Sequence, residues 1–191
     1  MKKIVEVLVI ITIMVLCSCS DSKIHISSKD NFEIVELPDG SIAYLNNNSS
    51  IEYDKNFDQR IVKQDGEVFF DVKKGISPFI VKTGLGEIRV LGTKFNVRSD
   101  NKELEVEVQE GTVELKVNKL IKKVKRGQKA LFKEGKAAVK MYKAEFKHKG
   151  WIKDMNKEFK KLGKEMNKSF KHIGKESKKI GIEVGNMVND L

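Results

Sequence analysis

Leu104-Glu105-Val106-Glu107-Val108 alternates apolar with acidic residues, and Val113-Glu114-Leu115-Lys116-Val117 alternates in the same way a few positions later. A period of two is typical of a β-strand that packs on one face and meets water on the other. Further apolar positions in strand-like surroundings are Phe69, Phe79, Val81, Ile88, Val90, Phe95 and Val97. These patterns predict a mainly β domain over about residues 32–143.

Turn signals separate the predicted strands. They are Pro38-Asp39-Gly40, Asp65-Gly66, Gly84-Leu85-Gly86, Glu110-Gly111, Arg126-Gly127 and Glu134-Gly135. Gly, Pro and Asp favour the backbone angles that tight turns require. Short strands with turns at this spacing predict a compact all-β sandwich or a solenoid-like stack. The alternation also places Glu103, Glu105 and Glu107 on one face, which we expect to be solvated.

Six blocks of the sequence follow the order of the motifs in a known envelope domain. They are Leu37-Pro38-Asp39-Gly40-Ser41, Gly66-Glu67-Val68-Phe69-Phe70-Asp71-Val72, Pro78-Phe79-Ile80-Val81, Val90-Leu91-Gly92-Thr93-Lys94-Phe95-Asn96-Val97, Glu110-Gly111-Thr112-Val113 and Arg126-Gly127-Gln128-Lys129-Ala130. Together they resemble the FecR-type domain, the envelope domain of bacterial iron-uptake signalling regulators. The resemblance implies a compact, twisted all-β domain that serves as an interaction or sensing module.

The amino terminus resembles a bacterial export signal. Lys2 and Lys3 precede an apolar run over residues 7–16, which is shorter than the roughly 20 residues that span a bilayer. The run ends in Leu16-Cys17-Ser18-Cys19, which resembles a lipobox. That resemblance implies a lipoprotein signal peptide over residues 1–18 and lipidation of Cys19. An uncleaved anchor helix is the alternative.

An export signal of this kind has consequences for location. Residues 19–31 are rich in Ser, Asp and Lys and predict a polar tether. The β domain would then lie at the cell envelope and face the periplasm. The sequence leaves inner and outer membrane undecided, with the outer membrane slightly favoured.

Positive charge is concentrated in one part of the chain. The whole chain has a formal net charge of +10, and residues 119–143 contain ten basic residues against the single acid Glu134. Within them we predict a basic patch of Lys122, Lys123, Lys125, Arg126 and Lys129. The patch is either a solvated face or a site that attracts anionic headgroups, at about 1 kcal/mol per basic residue. Nucleic acid is excluded as a partner because the export signal places the domain outside the cytoplasm.

The periodicity changes over residues 144–191. Apolar residues recur there in steps of three and four, at Ile152, Met155, Phe159, Leu162, Met166, Phe170 and Ile173. That spacing predicts one face of an amphipathic helix. Lys153-Asp154-Met155-Asn156 recurs eleven residues later as Lys164-Glu165-Met166-Asn167, and an eleven-residue repeat keeps the apolar stripe nearly straight. We expect this basic tail to bind an anionic membrane surface or another helix, with homo-oligomers as one outcome.

No pattern in the sequence indicates catalysis. His25, His148 and His172 lie outside any nucleophile or zinc motif, and the two cysteines, Cys17 and Cys19, belong to the signal region. We therefore predict a protein without enzymatic activity, cofactor or metal.

Three functional hypotheses follow. The first is a lipid-anchored envelope protein whose FecR-like domain contacts an unidentified envelope protein and whose tail makes a second contact. The second is a transmembrane-signalling regulator that reaches a sigma factor through a separate partner, since no sigma-binding segment is recognisable before the export signal. The third is an envelope scaffold that assembles through its helical tail as a coiled coil.

Overall fold

The computed structural model describes residues 23–180, with side chains described as far as residue 164. The described part contains thirteen β-strands followed by one α-helix. The chain divides into two compact units, of which the first ends at Glu145 and the second begins at Phe146. Cys19, the predicted lipidation site, lies outside the described residues.

The first unit is built from short strands. They are β1 (Lys23–Ser28), β2 (Glu33–Glu36), β3 (Ile42–Leu45), β4 (Ser49–Asp54), β5 (Ile61–Asp71), β6 (Phe79–Lys82), β7 (Glu87–Val90), β8 (Lys94–Ser99), β9 (Glu103–Glu110), β10 (Thr112–Val117), β11 (Leu120–Lys125), β12 (Gln128–Lys133) and β13 (Lys140–Lys143). Neighbouring strands are antiparallel, apart from the parallel pair β5 and β6.

Strand β5 belongs to two half-sheets at once. Its first part pairs with β4 and β6, and its second part pairs with β3 and β8. The first half-sheet has the order β1-β4-β5-β6-β7-β10-β11, and the second has the order β2-β3-β5-β8-β9-β12-β13.

Gly66 lies where β5 passes from one half-sheet to the other. Its φ is +83°, and a Cβ atom there would lie only 2.6 Å from the Ser49 Oγ atom. Glycine adopts that backbone conformation without steric cost. The prediction of a chain-reversing turn at Asp65-Gly66 is therefore wrong, because the missing Cβ lets a continuous strand bend instead.

Two further glycines with positive φ lie where the chain changes half-sheet. Gly111, with φ +85°, separates β9 in the second half-sheet from β10 in the first, and Gly127, with φ +79°, separates β11 from β12. The sheet therefore curls around a single core that the inner faces of both half-sheets share.

Aromatic rings connect the two half-sheets inside this core. Phe70 of β5 stacks on Phe95 with ring centroids 5.4 Å apart, and it meets Phe79 of β6 edge-on at 5.8 Å. All three side chains are fully buried. Such ring pairs stabilise a core by about 0.5–1.5 kcal/mol each beyond their buried area. The apolar residues of the two alternating stretches, 104–108 and 113–117, are also buried, so the predicted mainly β fold with a following helix is confirmed.

Two local expectations from the sequence are wrong. Residues 23–28 were expected to belong to a polar tether, but they form β1 and pair with β4 in full register. Glu107 was expected on a solvated face, but it is buried, and its Oε1 atom accepts a hydrogen bond from the Glu145 N–H at 3.0 Å. Periodicity assigns the face of a strand, and it does not show which other chain segment covers that face.

The second unit contains the helix α1 (His148–Ile180). Of the predicted apolar face, Phe159 and Leu162 are exposed, Ile152 is half-buried and Met155 is fully buried, so the prediction that Met155 contacts a membrane or partner is wrong. Met166, Phe170 and Ile173 lie beyond the residues whose side chains are described. Over residues 23–180, we find no helix with the length and apolar character needed to cross a bilayer.

Candidate functional site

Strand β11 forms one free edge of the first half-sheet. Among the described residues it pairs with β10 alone, from Val117↔Leu120 to Thr112↔Lys125. Val117 and Leu120 flank a two-residue turn, so they exchange backbone hydrogen bonds with each other. Alternate residues of an antiparallel strand point their backbone groups to opposite sides.

The register therefore identifies which residues face the free edge. Ile121, Lys123 and Lys125 direct their N–H and C=O groups away from β10. The Lys125 N–H is already used, because it donates to the Gln128 Oε1 atom at 2.9 Å. Ile121 and Lys123 thus leave a short ladder of donors and acceptors for another strand.

The side chains along this edge are mostly basic. Lys119, Lys122, Lys123, Lys125 and Arg126 are all exposed. Within the described part of the chain, none of them has an acid within ion-pair distance. Ile121 lies among them with 59% of its surface exposed. We call residues 119–126 the basic edge.

The structure separates Lys129 from the other residues of the predicted basic patch. Lys129 lies on β12, in the second half-sheet, and its side chain is only 13% exposed. Its Nζ atom lies 3.6 Å from Glu105 Oε2 and 3.4 Å from Glu145 Oε1, so its charge is neutralised within the domain. The predicted patch therefore reduces to the four residues Lys122, Lys123, Lys125 and Arg126.

A groove of about 490 Å³ adjoins the basic edge on the outer surface of the first half-sheet. Arg89, Glu114 and Lys123 line it with charge, and Pro78 and Leu91 line it with apolar surface. The Arg89 Nε atom donates to Glu87 Oε1 at 2.6 Å, which raises the pKa of Arg89. A peptide backbone can pair with a free strand edge while its side chains enter grooves beside it.

A second constellation, centred on Arg60, is buried and was not predicted. Arg60 directly precedes β5, has a positive φ of 48°, and is 8% exposed. Its Nε atom donates to Asp39 Oδ2 at 2.8 Å, and its Nη2 atom lies 2.7 Å from the same oxygen. Asp39 also accepts hydrogen bonds from the Ser41 N–H and hydroxyl group, each at 2.9 Å.

Arg60 also binds the loop that leads into β6. Nη1 donates to the Ser77 carbonyl at 2.7 Å and Nη2 to the Lys73 carbonyl at 2.8 Å, while the guanidinium lies 5.6 Å from the ring centre of Phe79. Gly75 leaves the room for this side chain, since a Cβ atom there would overlap Nη1. Because each of its three guanidinium nitrogens has an acceptor and its charge is paired with Asp39, Arg60 serves as a structural clamp.

The sequence offers one indirect signal for this clamp. The block Leu37-Pro38-Asp39-Gly40-Ser41 and the segment before Pro78 both contact Arg60, although Asp39 and Arg60 are 21 positions apart. Arg60 itself lies outside both stretches, so the sequence does not show that it connects them.

The described residues contain no candidate metal centre. No group of three or more His, Cys, Asp or Glu side chains among them could hold a metal ion. His25 lies on β1 and His148 begins α1, whereas the side chain of His172 lies outside the described ones.

Part of the β unit is similar to known proteins. The FecR protein family model matches residues 24–114, from β1 into β10. The basic edge follows that matched region. Curated proteins gave no match to this chain.

Two crystal structures of a putative anti-sigma factor from Parabacteroides distasonis share the fold. One, at 1.65 Å resolution, has a TM-score of 0.63 and 26% identity, and the match covers 68% of this chain and 64% of that chain. The other, at 2.50 Å resolution, has a TM-score of 0.60 and 27% identity, and the match covers 63% and 60%. The chain thus spans less than two thirds of the length of these similar structures.

Proposed function

We propose that the chain is a non-enzymatic signalling regulator of the cell envelope, and that its FecR-like β unit is the module that contacts a partner protein. The observation that carries this proposal is the likeness in fold and sequence to a putative anti-sigma factor, together with the FecR match. The free basic edge supports a contact with another protein, because edge strands are frequent docking elements.

We further propose that the protein is attached to the membrane through two signals. A lipid on Cys19 would supply the first. Exposed Phe159 and Leu162, beside the exposed lysines Lys157, Lys160 and Lys164, support a second contact between α1 and an anionic membrane surface. Two weak signals together hold a protein at a membrane far more firmly than either alone.

The regulatory role is tested by deleting the gene in its own bacterium. Transcripts of the deletion strain are compared with those of a strain that expresses the wild-type chain again. A regulator changes a discrete set of transcripts, and the restored chain returns them to their original levels. Unchanged transcripts in the deletion strain, under iron-replete and iron-limited growth alike, would refute the role.

The anchor is tested separately with Cys19→Ala. Cells are fed an alkyne-tagged fatty acid, and the chain is followed by membrane fractionation. We expect the wild-type chain to carry the label and the variant to lack it and to leave the membrane fraction in part. A variant that stays labelled would show that Cys19 is not the lipidated residue.

A further inference from the structure

We propose that the basic edge binds an acidic, extended segment of a partner protein, which adds to the first half-sheet as an extra strand beside β11. This inference rests on the proposed function, since it names the chemistry of the partner for the same β unit. Three observations carry it: the free backbone ladder, the unneutralised charge and the adjoining groove.

The backbone ladder fixes how the added strand pairs. The N–H and C=O groups of Ile121 and Lys123 point away from β10, and the Lys125 N–H is engaged by Gln128. A segment of about four to six residues is enough to use these groups, which is a common strand length. The added strand continues the order β7-β10-β11.

The side chains fix the chemistry of the segment. Lys123 and Lys125 project on the outer face of the half-sheet, and Lys122 remains exposed on the opposite side of the same strand. Directly opposed charges of opposite sign stabilise a strand pair, whereas like charges destabilise it. The partner therefore needs acidic side chains at alternate positions, opposite Lys123 and Lys125.

Lysines on a free edge also hinder unwanted pairing between copies of a protein. The same charge that repels a second basic edge attracts an acidic strand. The groove that Arg89, Leu91 and Lys123 line gives such a strand a place for one further side chain, which a purely protective edge does not require.

A short peptide tests the inference on the full-length chain in nonionic detergent. The probe is fluorescein-labelled Thr-Val-Glu-Val-Glu-Val-Glu-Thr, and binding is measured by fluorescence anisotropy. One control peptide has Gln in place of each Glu. A second keeps the three Glu residues but carries an N-methyl group on the backbone nitrogen of the central Glu, which removes a ladder N–H at unchanged charge. We expect the first peptide to bind and both controls to bind about tenfold more weakly or worse.

Matched protein variants locate the binding. The double variant Lys122→Glu, Lys125→Glu reverses the charge at two positions of β11. Their partners on β10 are Leu115 and Thr112, so the variant places no acid opposite an acid. Lys55→Glu, Lys102→Glu makes the same change in net charge at exposed turn lysines. We expect the first pair to weaken peptide binding about tenfold and the second pair to leave it nearly unchanged.

Amide hydrogen exchange by NMR supplies the sharpest readout. Strand addition must protect the Ile121 and Lys123 amides from exchange, because their N–H groups point away from β10 and would donate to the added strand. Binding without new protection of these two amides, or equal binding of the N-methylated peptide, would reduce the effect to charge attraction and overturn the proposal.

Vesicles of phosphatidylcholine with phosphatidylglycerol provide the last comparison. If the chain binds these vesicles through Lys122 and Lys125 and ignores the acidic peptide, the edge is a lipid contact and the proposal is wrong. If the peptide does not bind, the proposed regulatory role still stands, because that role is tested by the transcript levels of the deletion strain. Peptide binding in a chain whose deletion changes no transcript would overturn the regulatory role alone.

Discussion

Replacing Arg60 with alanine should destabilise the β unit more than any exposed ion-pair substitution. The guanidinium pairs with Asp39 and donates to the carbonyl groups of Ser77 and Lys73. In Arg60→Ala, Asp39 keeps the two donors of Ser41 but loses its buried counter-charge. Two loop carbonyls lose their donor as well, and Phe79 loses the cation beside its ring.

The expected magnitude follows from the burial of this pair. The two side chains are only 9% and 14% exposed, so water cannot easily replace the lost partner. Removing one member of a buried ion pair costs about 3–5 kcal/mol. Since a domain of this size is stable by only about 5–15 kcal/mol, we expect Arg60→Ala to remove a large share of the folding free energy.

Urea unfolding of the full-length chain, followed by circular dichroism, measures this change. The matched control is Arg98→Ala, because Arg98 is 56% exposed and lies 3.5 Å from Glu105. An exposed pair of this kind contributes about 0–1 kcal/mol. A double-mutant cycle with Asp39→Ala should give a coupling free energy of at least about 1.5 kcal/mol. If Arg60→Ala and Arg98→Ala were equally stable, Arg60 would not be the clamp described above.

Three further predictions concern other parts of the chain. In the same urea assay, Gly75→Ala should lower the free energy of unfolding by about 1–3 kcal/mol, because the new Cβ would overlap Arg60. The control is Gly84→Ala, which should be neutral or slightly stabilising because the space around its Cβ is open. Hydrogen bonds from the Lys102 and Glu103 N–H groups lower the pKa of Asp100. The ionised carboxylate therefore stabilises the fold at pH values above its unfolded pKa of about 4. That stabilisation is lost as the pH falls through the lower pKa of the folded state. Asp100→Ala should therefore be less stable than wild type at pH 7, with the gap closing on acidification, and a gap independent of pH would contradict this assignment. A peptide of residues 144–191 should become helical by circular dichroism with anionic vesicles and not with neutral ones; helix that instead appears in buffer with rising peptide concentration would favour self-assembly.

The strand pattern was the most predictable part of the molecule. The period-two stretches at 104–108 and 113–117 follow the observed burial because alternation is local and each strand has one face in the core. The turn glycines were less informative. Gly84-Leu85-Gly86 does connect β6 to β7, but Gly66 bends a continuous strand, and a glycine alone does not distinguish a bend from a reversal.

The candidate site shows where sequence reasoning ends. The concentration of positive charge along residues 119–143 predicts the basic patch. It does not exclude Lys129, because the sequence does not show that the chain passes to the second half-sheet at Gly127. Arg60 was missed for a related reason. An arginine between two strands is typical of a solvated turn, and its acceptors come from residues that are distant in sequence.

The regulatory role is the central claim, and transcripts measured after restoration of the chain test it most directly. The deletion strain receives wild type, Lys55→Glu with Lys102→Glu, or Lys122→Glu with Lys125→Glu. We predict that a discrete set of transcripts changes on deletion, that the first two chains restore it, and that the third does not. Full restoration by the third chain would refute the role of the basic edge. Transcripts that deletion leaves unchanged would contradict the regulatory function itself.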